Sequence, residues 1–217
     1  TTSEVNMDDI SPANANLDMS KQDITNLRNV FLNSGVGYIV QNADGNSIYI
    51  QGDATSTINS ATSLGVNFSG IIEATGAGGG ISIVGNSGTS TTYGDGVAIF
   101  GDVLASSGTI TIEGTDDISN VNNRDVFISG ATLGAKAATN VTSSTANVVV
   151  RGNRPAFASS SAVNTSGTVL IEPRGDDFTA TLNYSNLSLD SDVSAFTIGK
   201  SATSADGNSD ANVTIGS

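Results

Sequence analysis

The stretch Ile81-Ser82-Ile83-Val84-Gly85 returns as Ile110-Thr111-Ile112-Glu113-Gly114, and the self-match runs without a gap from residues 81–109 onto 110–138. Ser90 aligns with Ser119, Val97 with Val126, Ile99 with Ile128, Gly101 with Gly130 and Leu104 with Leu133. Alternating β-branched residues read as strands with one buried face, so the matched aliphatics fall on strand positions. A strand word that recurs, separated by polar intervals of variable length, is the mark of a solenoid in which each coil buries its inner face against the next.

The same two-part unit extends outward from this stretch. Upstream, Ile48/Ile50/Gly52 is followed by Val66/Phe68/Gly70; downstream, Val148/Val150/Gly152 is followed by Val169/Ile171, with Pro173 where Gly is expected. Phe196-Thr197-Ile198-Gly199 and Val213-Thr214-Ile215-Gly216 close the chain. The unit length drifts, since successive words open at Ile48, Ile81, Ile110 and Val148. The prediction is therefore an all-β solenoid with irregular turns of about 29 residues, each adding about 4.8 Å of axial rise. The Gly after each strand word suits a tight corner, where it accepts a positive φ. A β-sandwich is the competing architecture, but it supplies no reason for a gapless self-match.

The amino-terminal part divides differently. Residues 1–27 read as a polar extension or cap and residues 28–217 as the β-helix domain. Ser20 with Asp23 resembles a capping box, and Ile24, Leu27 and Phe31 stand at roughly helical spacing. Against a helix, Arg28-Asn29-Val30-Phe31-Leu32 repeats the wording of Arg124-Asp125-Val126-Phe127-Ile128, which places an early rung at residues 29–33.

Composition narrows the chemistry. The 217 residues are 37% hydrophobic but only 13% charged, with a net charge of −13 and no Cys, Trp or His. Solubility then rests on neutral hydroxyls and amides. The acidic balance repels polyanions and leaves no basic stripe, so nucleic acid is not an expected partner. Disulfides, thiolate metal sites, His ligands and Ser-His-Asp or Cys-His triads are excluded. No apolar run approaches the ~18 residues of a membrane span, and Thr1 in place of Met suggests a mature or excised segment.

Stretches such as Gly78-Gly79-Gly80-Ile81-Ser82-Ile83-Val84-Gly85, Ser107-Gly108-Thr109-Ile110-Thr111-Ile112 and Ala211-Asn212-Val213-Thr214-Ile215-Gly216 resemble large bacterial surface proteins of the filamentous-haemagglutinin-like and related repeat-adhesin type. The resemblance covers most of residues 28–217. It implies a right-handed parallel β-helix, export to the bacterial cell surface or the extracellular space, and a role as adhesin or structural fibre. The amino-terminal secretion module of those proteins is not recognisable in this sequence.

Three constellations could carry chemistry. Arg174-Gly175-Asp176 is the tripeptide that integrins read on an exposed loop, although Gly-Asp is also ordinary turn chemistry. Asp206-Gly207-Asn208-Ser209-Asp210 has the D-x-N-x-D start of a calcium loop, but Ala211 stands where Gly is needed and Ser217 where a bidentate Glu is needed. No cofactor is expected beyond a structural Ca2+ held by Asp206, Asn208 and Asp210. Asp116-Asp117 and Asp176-Asp177 are the paired acids that a β-helical lyase or glycosidase would use, yet adjacent residues on a strand point to opposite faces. Phe31, Phe68 and Phe127 fall in strand words, where inward packing or a contact with the next rung accounts for them.

The expected molecule is a non-enzymatic, extracellular structural or adhesive fibre segment. The closing strand word at 211–217 would offer an unpaired edge, so the expected partners are flanking repeats or other copies stacked end to end, with a host or neighbouring cell surface as a further candidate. A carbohydrate-active enzyme and a receptor-binding module are the alternatives.

Overall fold

A computed structural model of the chain describes residues 38–42, 44–54, 60–116, 122–175, 177–180, 182–199 and 213–214. The expected extension at 1–27, the early rung at 29–33 and the calcium-loop residues Asp206, Asn208 and Asp210 lie outside these residues.

Eighteen strands and no helix are found among the described residues. After β1 (Tyr38–Gln41), the first coil lays down β2 (Ile48–Asp53), β3 (Ser60–Phe68) and β4 (Ile71–Ala74). The second adds β5 (Ile81–Asn86), β6 (Ser90–Ile99) and β7 (Asp102–Ala105), and the third β8 (Thr109–Thr115), β9 (Arg124–Ser129) and β10 (Thr132–Gly134). The fourth holds β11 (Asn147–Arg151), β12 (Pro155–Ala158) and β13 (Ser161–Asn164); the fifth holds β14 (Thr168–Glu172), β15 (Leu182–Asn183) and β16 (Leu187–Leu189). Strands β17 (Ala195–Ile198) and β18 (Val213–Thr214) follow. All registered pairings are parallel and join each coil to the next. Sheet 1 is β2-β5-β8-β11-β14-β17, sheet 2 is β3-β6-β9-β12, sheet 3 is β1-β4-β7-β10-β13-β16, and β15 pairs with β18. The chain is a parallel β-solenoid of about five coils, with three strands to a coil.

Strand alternation aims one aliphatic column after another into the interior. In sheet 1, Ile48, Ile81, Ile110, Val148, Val169 and Phe196 stack in register, as do Ile50, Ile83, Ile112, Val150, Ile171 and Ile198. Sheet 2 contributes Val66, Val97, Val126 and Pro155, then Phe68, Ile99, Ile128 and Phe157. Sheet 3 closes the core with Ile39, Ile72, Val103, Leu133, Val163 and Leu189. Each fully buried aliphatic stabilises by about 1.5–3 kcal/mol, and the columns make that gain continuous along the axis.

Three sequence expectations change. Leu104 and Leu133 are not equivalent, because Leu133 pairs with Val103 and Gly134 with Leu104. One extra residue enters at the corner where Gly130 has φ 64°, and a one-residue slip reverses the face of every following side chain. Leu133 therefore lies in the main core, whereas Leu104 packs outside it with Ala135, Val141 and Ile71. Val169 and Ile171 do not complete the coil begun at Val148; they sit directly upon Val148 and Val150, one whole coil later. The glycines that end the words at 85 and 114 do not have positive φ. A Cβ on Gly85 would run into the Gly96 carbonyl, and one on Gly114 into that of Asp125. Close approach of the next strand, rather than φ, demands them. Positive φ is found, as expected, at the word-ending Gly70, Gly130 and Gly199, and it also marks the corner between sheets 3 and 1, at Gly45, Gly78 and Gly108.

The coil that runs from Ile110 to Val148 is long because residues 135–146 leave the solenoid and fold over the outer face of sheet 3. The buried Glu73 carboxylate accepts the Asn140 N–H at 3.2 Å and its Nδ2–H at 2.5 Å, while Lys136 Nζ meets Asp102 Oδ2 at 2.6 Å. These contacts clamp Val141 over Leu104.

Candidate functional site

Charged side chains gather along coils two to five. On the outer face of sheet 1, Glu113, Arg151 and Glu172 occupy one column of successive strands. Arg151 Nη1 donates to Glu113 Oε2 at 3.0 Å and Nε to Glu172 Oε1 at 2.6 Å. Burial alone would lower the Arg151 pKa, but the hydrogen bonds and charges of Glu172 and Glu113 outweigh it and raise it above its ordinary value. Arg174 reaches back across two coils, pairing its Nε with Glu113 Oε1 at 3.0 Å and donating from Nη1 to Thr115 Oγ1.

A second group fills the corner between sheets 1 and 2. Asp95, buried on β6, takes Arg124 in a bidentate pair, Nε–Oδ1 3.0 Å and Nη2–Oδ2 3.3 Å, as in-register neighbours on β6 and β9. The Arg124 guanidinium lies 3.5 Å from the Phe127 ring centroid and 4.8 Å from that of Tyr93, and Phe100 meets Phe127 edge-on. Burial raises the Asp95 pKa more than Tyr93 and Arg124 lower it. Tyr93 is raised too, by burial and then by its hydrogen bond to Asp95.

One step along that corner, Asp125 accepts the Asp116 N–H at Oδ1 and the Arg154 N–H at Oδ2, both at 2.7 Å. Its side chain occupies the space a Cβ on Gly152 would need, only 2.6 Å from the Asp125 Cβ. The Asp116 carboxyl lies 3.3 Å from Arg154 Nη1, with its side chain 2% exposed. Burial, and then the Asp125 charge, push Asp116 up to about 7, against the weaker pull of Arg154. Two acids and one guanidinium thus meet at this corner.

The residues singled out from sequence are distributed as follows. Arg174 is exposed but engaged by Glu113, and the exposed Gly175 donates its N–H to Asn153 Oδ1 at 2.9 Å, so both are held to earlier coils. Asp176 lies outside the described residues, as does Asp117, so neither adjacent-acid pair is described in full. Asp177 Oδ1 is buried with no hydrogen-bond partner. Among the described residues, the acid beside Asp116 is Asp125, from the next strand, which accepts the Asp116 N–H. Phe68 points into the core, whereas Phe127 lies on the outer side beneath Arg124. Among the described residues, no group of three acids, Cys or His is placed to hold a metal ion, and no helix is long and apolar enough to cross a membrane.

Sequence reasoning passed over Asp95, Arg124, Asp125, Arg151 and Arg154. A signal for one pair existed: the slide that aligns the strand words also sets Arg124 on Asp95, opposite charges at equivalent positions. Comparison with protein-family models, curated proteins and solved structures gave no match.

Proposed function

We propose that the chain is a structural or adhesive β-solenoid segment of a bacterial surface or secreted protein, acting by its length and rigidity rather than by turnover. One observation carries this reading. Every Arg and Lys among the described residues, namely Arg124, Lys136, Arg151, Arg154 and Arg174, is committed to an ion pair with an acid of a different coil. The scarce cations reinforce the same axis as the strand ladders and the aliphatic columns. The geometry of Asp116 agrees with this, because its side chain is 2% exposed and paired with Arg154, whereas a glycosidase needs its two carboxyls open to a sugar lying between them. The resemblance to filamentous-haemagglutinin-like proteins supports export and a surface location. The partners in this reading are flanking repeats or further copies, stacked end to end, and a host or neighbouring cell surface.

Electron microscopy of the purified protein over a range of concentrations tests the reading. Rods or filaments one solenoid wide are expected. Isolated particles that depolymerise a neutral or acidic glycan, with the activity lost in Asp116→Asn, would overturn it in favour of an enzyme.

A further inference from the structure

We infer that the outer side of sheet 2 carries a binding ledge for a neutral glycan, built around the Phe100 ring. Such a ledge supplies a ligand for the adhesive form of the reading above, and it rests on that reading. Ile99 points into the core, so the next residue turns outward, and Phe100 is left 44% exposed. Its neighbours along the axis are small. Ile99 is in register with Phe68 and Ile128, which sets Ser69 and Ser129 beside Phe100 in the coils before and after. Phe127, also outward, meets Phe100 edge-on with the ring centroids 5.7 Å apart, and it lies in register between Ala98 and Ala156.

The ledge is fixed before anything binds. Phe127 is held by the Arg124 guanidinium 3.5 Å from its ring centroid, and Arg124 is anchored in turn by its bidentate pair with the buried Asp95. A ring already immobilised loses little freedom on binding. Polar groups stand ready around it. The exposed Asn67 is in register with Ala98, and neither its amide nor the hydroxyls of Ser69 and Ser129 bond to another described residue. These groups are spaced by coil steps of about 4.8 Å.

Size, charge and polarity select the occupant. A Phe side chain offers about 150–250 Å² when wholly covered, so the free parts of Phe100 and Phe127 present on the order of 150 Å². A standard protein interface needs about 800 Å² from each partner, whereas one sugar ring is matched. The Arg124 charge is spent on Asp95, and a chain of net charge −13 repels sialylated, sulfated or uronic glycans. A neutral pyranose brings an apolar C–H face to the ring and hydroxyls to Asn67, Ser69 and Ser129.

The full chain is to be screened on an array of neutral hexose and N-acetylhexosamine oligosaccharides with their sialylated and sulfated counterparts, and the best neutral binder titrated by calorimetry. Neutral glycans should bind in preference to the acidic ones. Phe100→Ala and the milder Phe100→Leu should each weaken binding at least about tenfold, Ser129→Ala about three- to tenfold, and Phe100→Tyr and the distant Tyr49→Ala should leave it unchanged. Phe100→Leu keeps the apolar bulk, so it decides the matter if Phe100→Ala does not fold. Binding confined to acidic glycans, binding untouched by Phe100→Leu, or no binding on the array overturns the ledge. So does self-association, followed by sedimentation, that Phe100→Leu abolishes, since the occupant is then a second copy. Rods in the microscope without glycan binding refute the ledge and leave the fibre reading standing; Phe100-dependent glycan binding by particles that never form rods upholds the ledge and refutes the fibre.

Discussion

The first two coils and the later ones are held in register by different means. Residues 38–109 contain no Lys or Arg, so the junction between coils one and two relies on strand ladders and on small polar groups. Gly80 N–H donates to Ser47 Oγ at 3.1 Å, Ala77 N–H to Asp44 Oδ1 at 2.8 Å and Gly88 N–H to Ser63 Oγ at 2.7 Å. From coil two to coil five every junction carries at least one ion pair, and Arg174 spans two junctions at once. The difference follows repeat regularity. The words that open coils one to three, at Ile48, Ile81 and Ile110, are nearly evenly spaced and share their aliphatic and glycine positions. The next two, at Val148 and Val169, arrive first late and then early. There a slipped register has fewer identical neighbours to penalise it, and opposite charges at fixed heights do so instead.

The largest disruption is expected where the two regimes meet. Gly114→Val, forcing a side chain into the Asp125 carbonyl, should destabilise by about 3 kcal/mol or more, as measured by denaturant unfolding; a loss below about 1 kcal/mol would refute the close-approach account of these glycines. Next comes Leu104→Ala, expected to cost about 2–4 kcal/mol and to speed proteolysis within residues 136–140. Leu133→Ala should cost a similar amount without that local cleavage. Identical cleavage patterns would mean that the two leucines share a face after all.

Smaller effects separate the two kinds of junction. Arg151→Met leaves Glu113 and Glu172 facing each other without their bridge, but the Arg151 side chain is 37% exposed, so a loss of about 1 kcal/mol is expected. High salt should shrink that loss, since screening weakens exposed pairs. Ser47→Ala, removing a neutral hydrogen bond, should cost about 0.5–1 kcal/mol and show no salt dependence. A salt-dependent Ser47 effect, or a salt-independent one at Arg151, would erase the contrast.

How much of this can be read from sequence depends on which residues are asked. The strand words at 48, 81, 110 and 148 are legible because their inner columns are all Ile or Val, and each word ends in a Gly whose Cβ position is taken by a neighbouring segment. Sheet 3 is not legible. Its strands are as short as the three residues of β10, and the slip at Gly130 disguises Leu133 as the partner of Leu104. The coil from 148 to 169 is misread as half a unit because it holds little beyond strands and corners, so β12 and β13 follow each other with only Ser159-Ser160 between them. The charged corner is harder still. Arg154 follows Asp125 by 29 residues, as Arg124 follows Asp95, but Asp116 falls outside that interval and only the register of the strands brings it to their height.

The absence of cysteine makes the stacking directly measurable. Ser82 and Thr111 are in-register neighbours on β5 and β8, and Val149 lies one further coil along the same outer column. Adjacent strands bring such Cα atoms to about 4.8 Å, within disulfide reach, while positions two coils apart are about 9.6 Å from each other and beyond it. The double variant Ser82→Cys with Thr111→Cys should therefore form an intramolecular disulfide rapidly under mild oxidation, and Ser82→Cys with Val149→Cys should not. Equal cross-linking of both pairs, or of the second alone, would contradict the parallel stacking of coils.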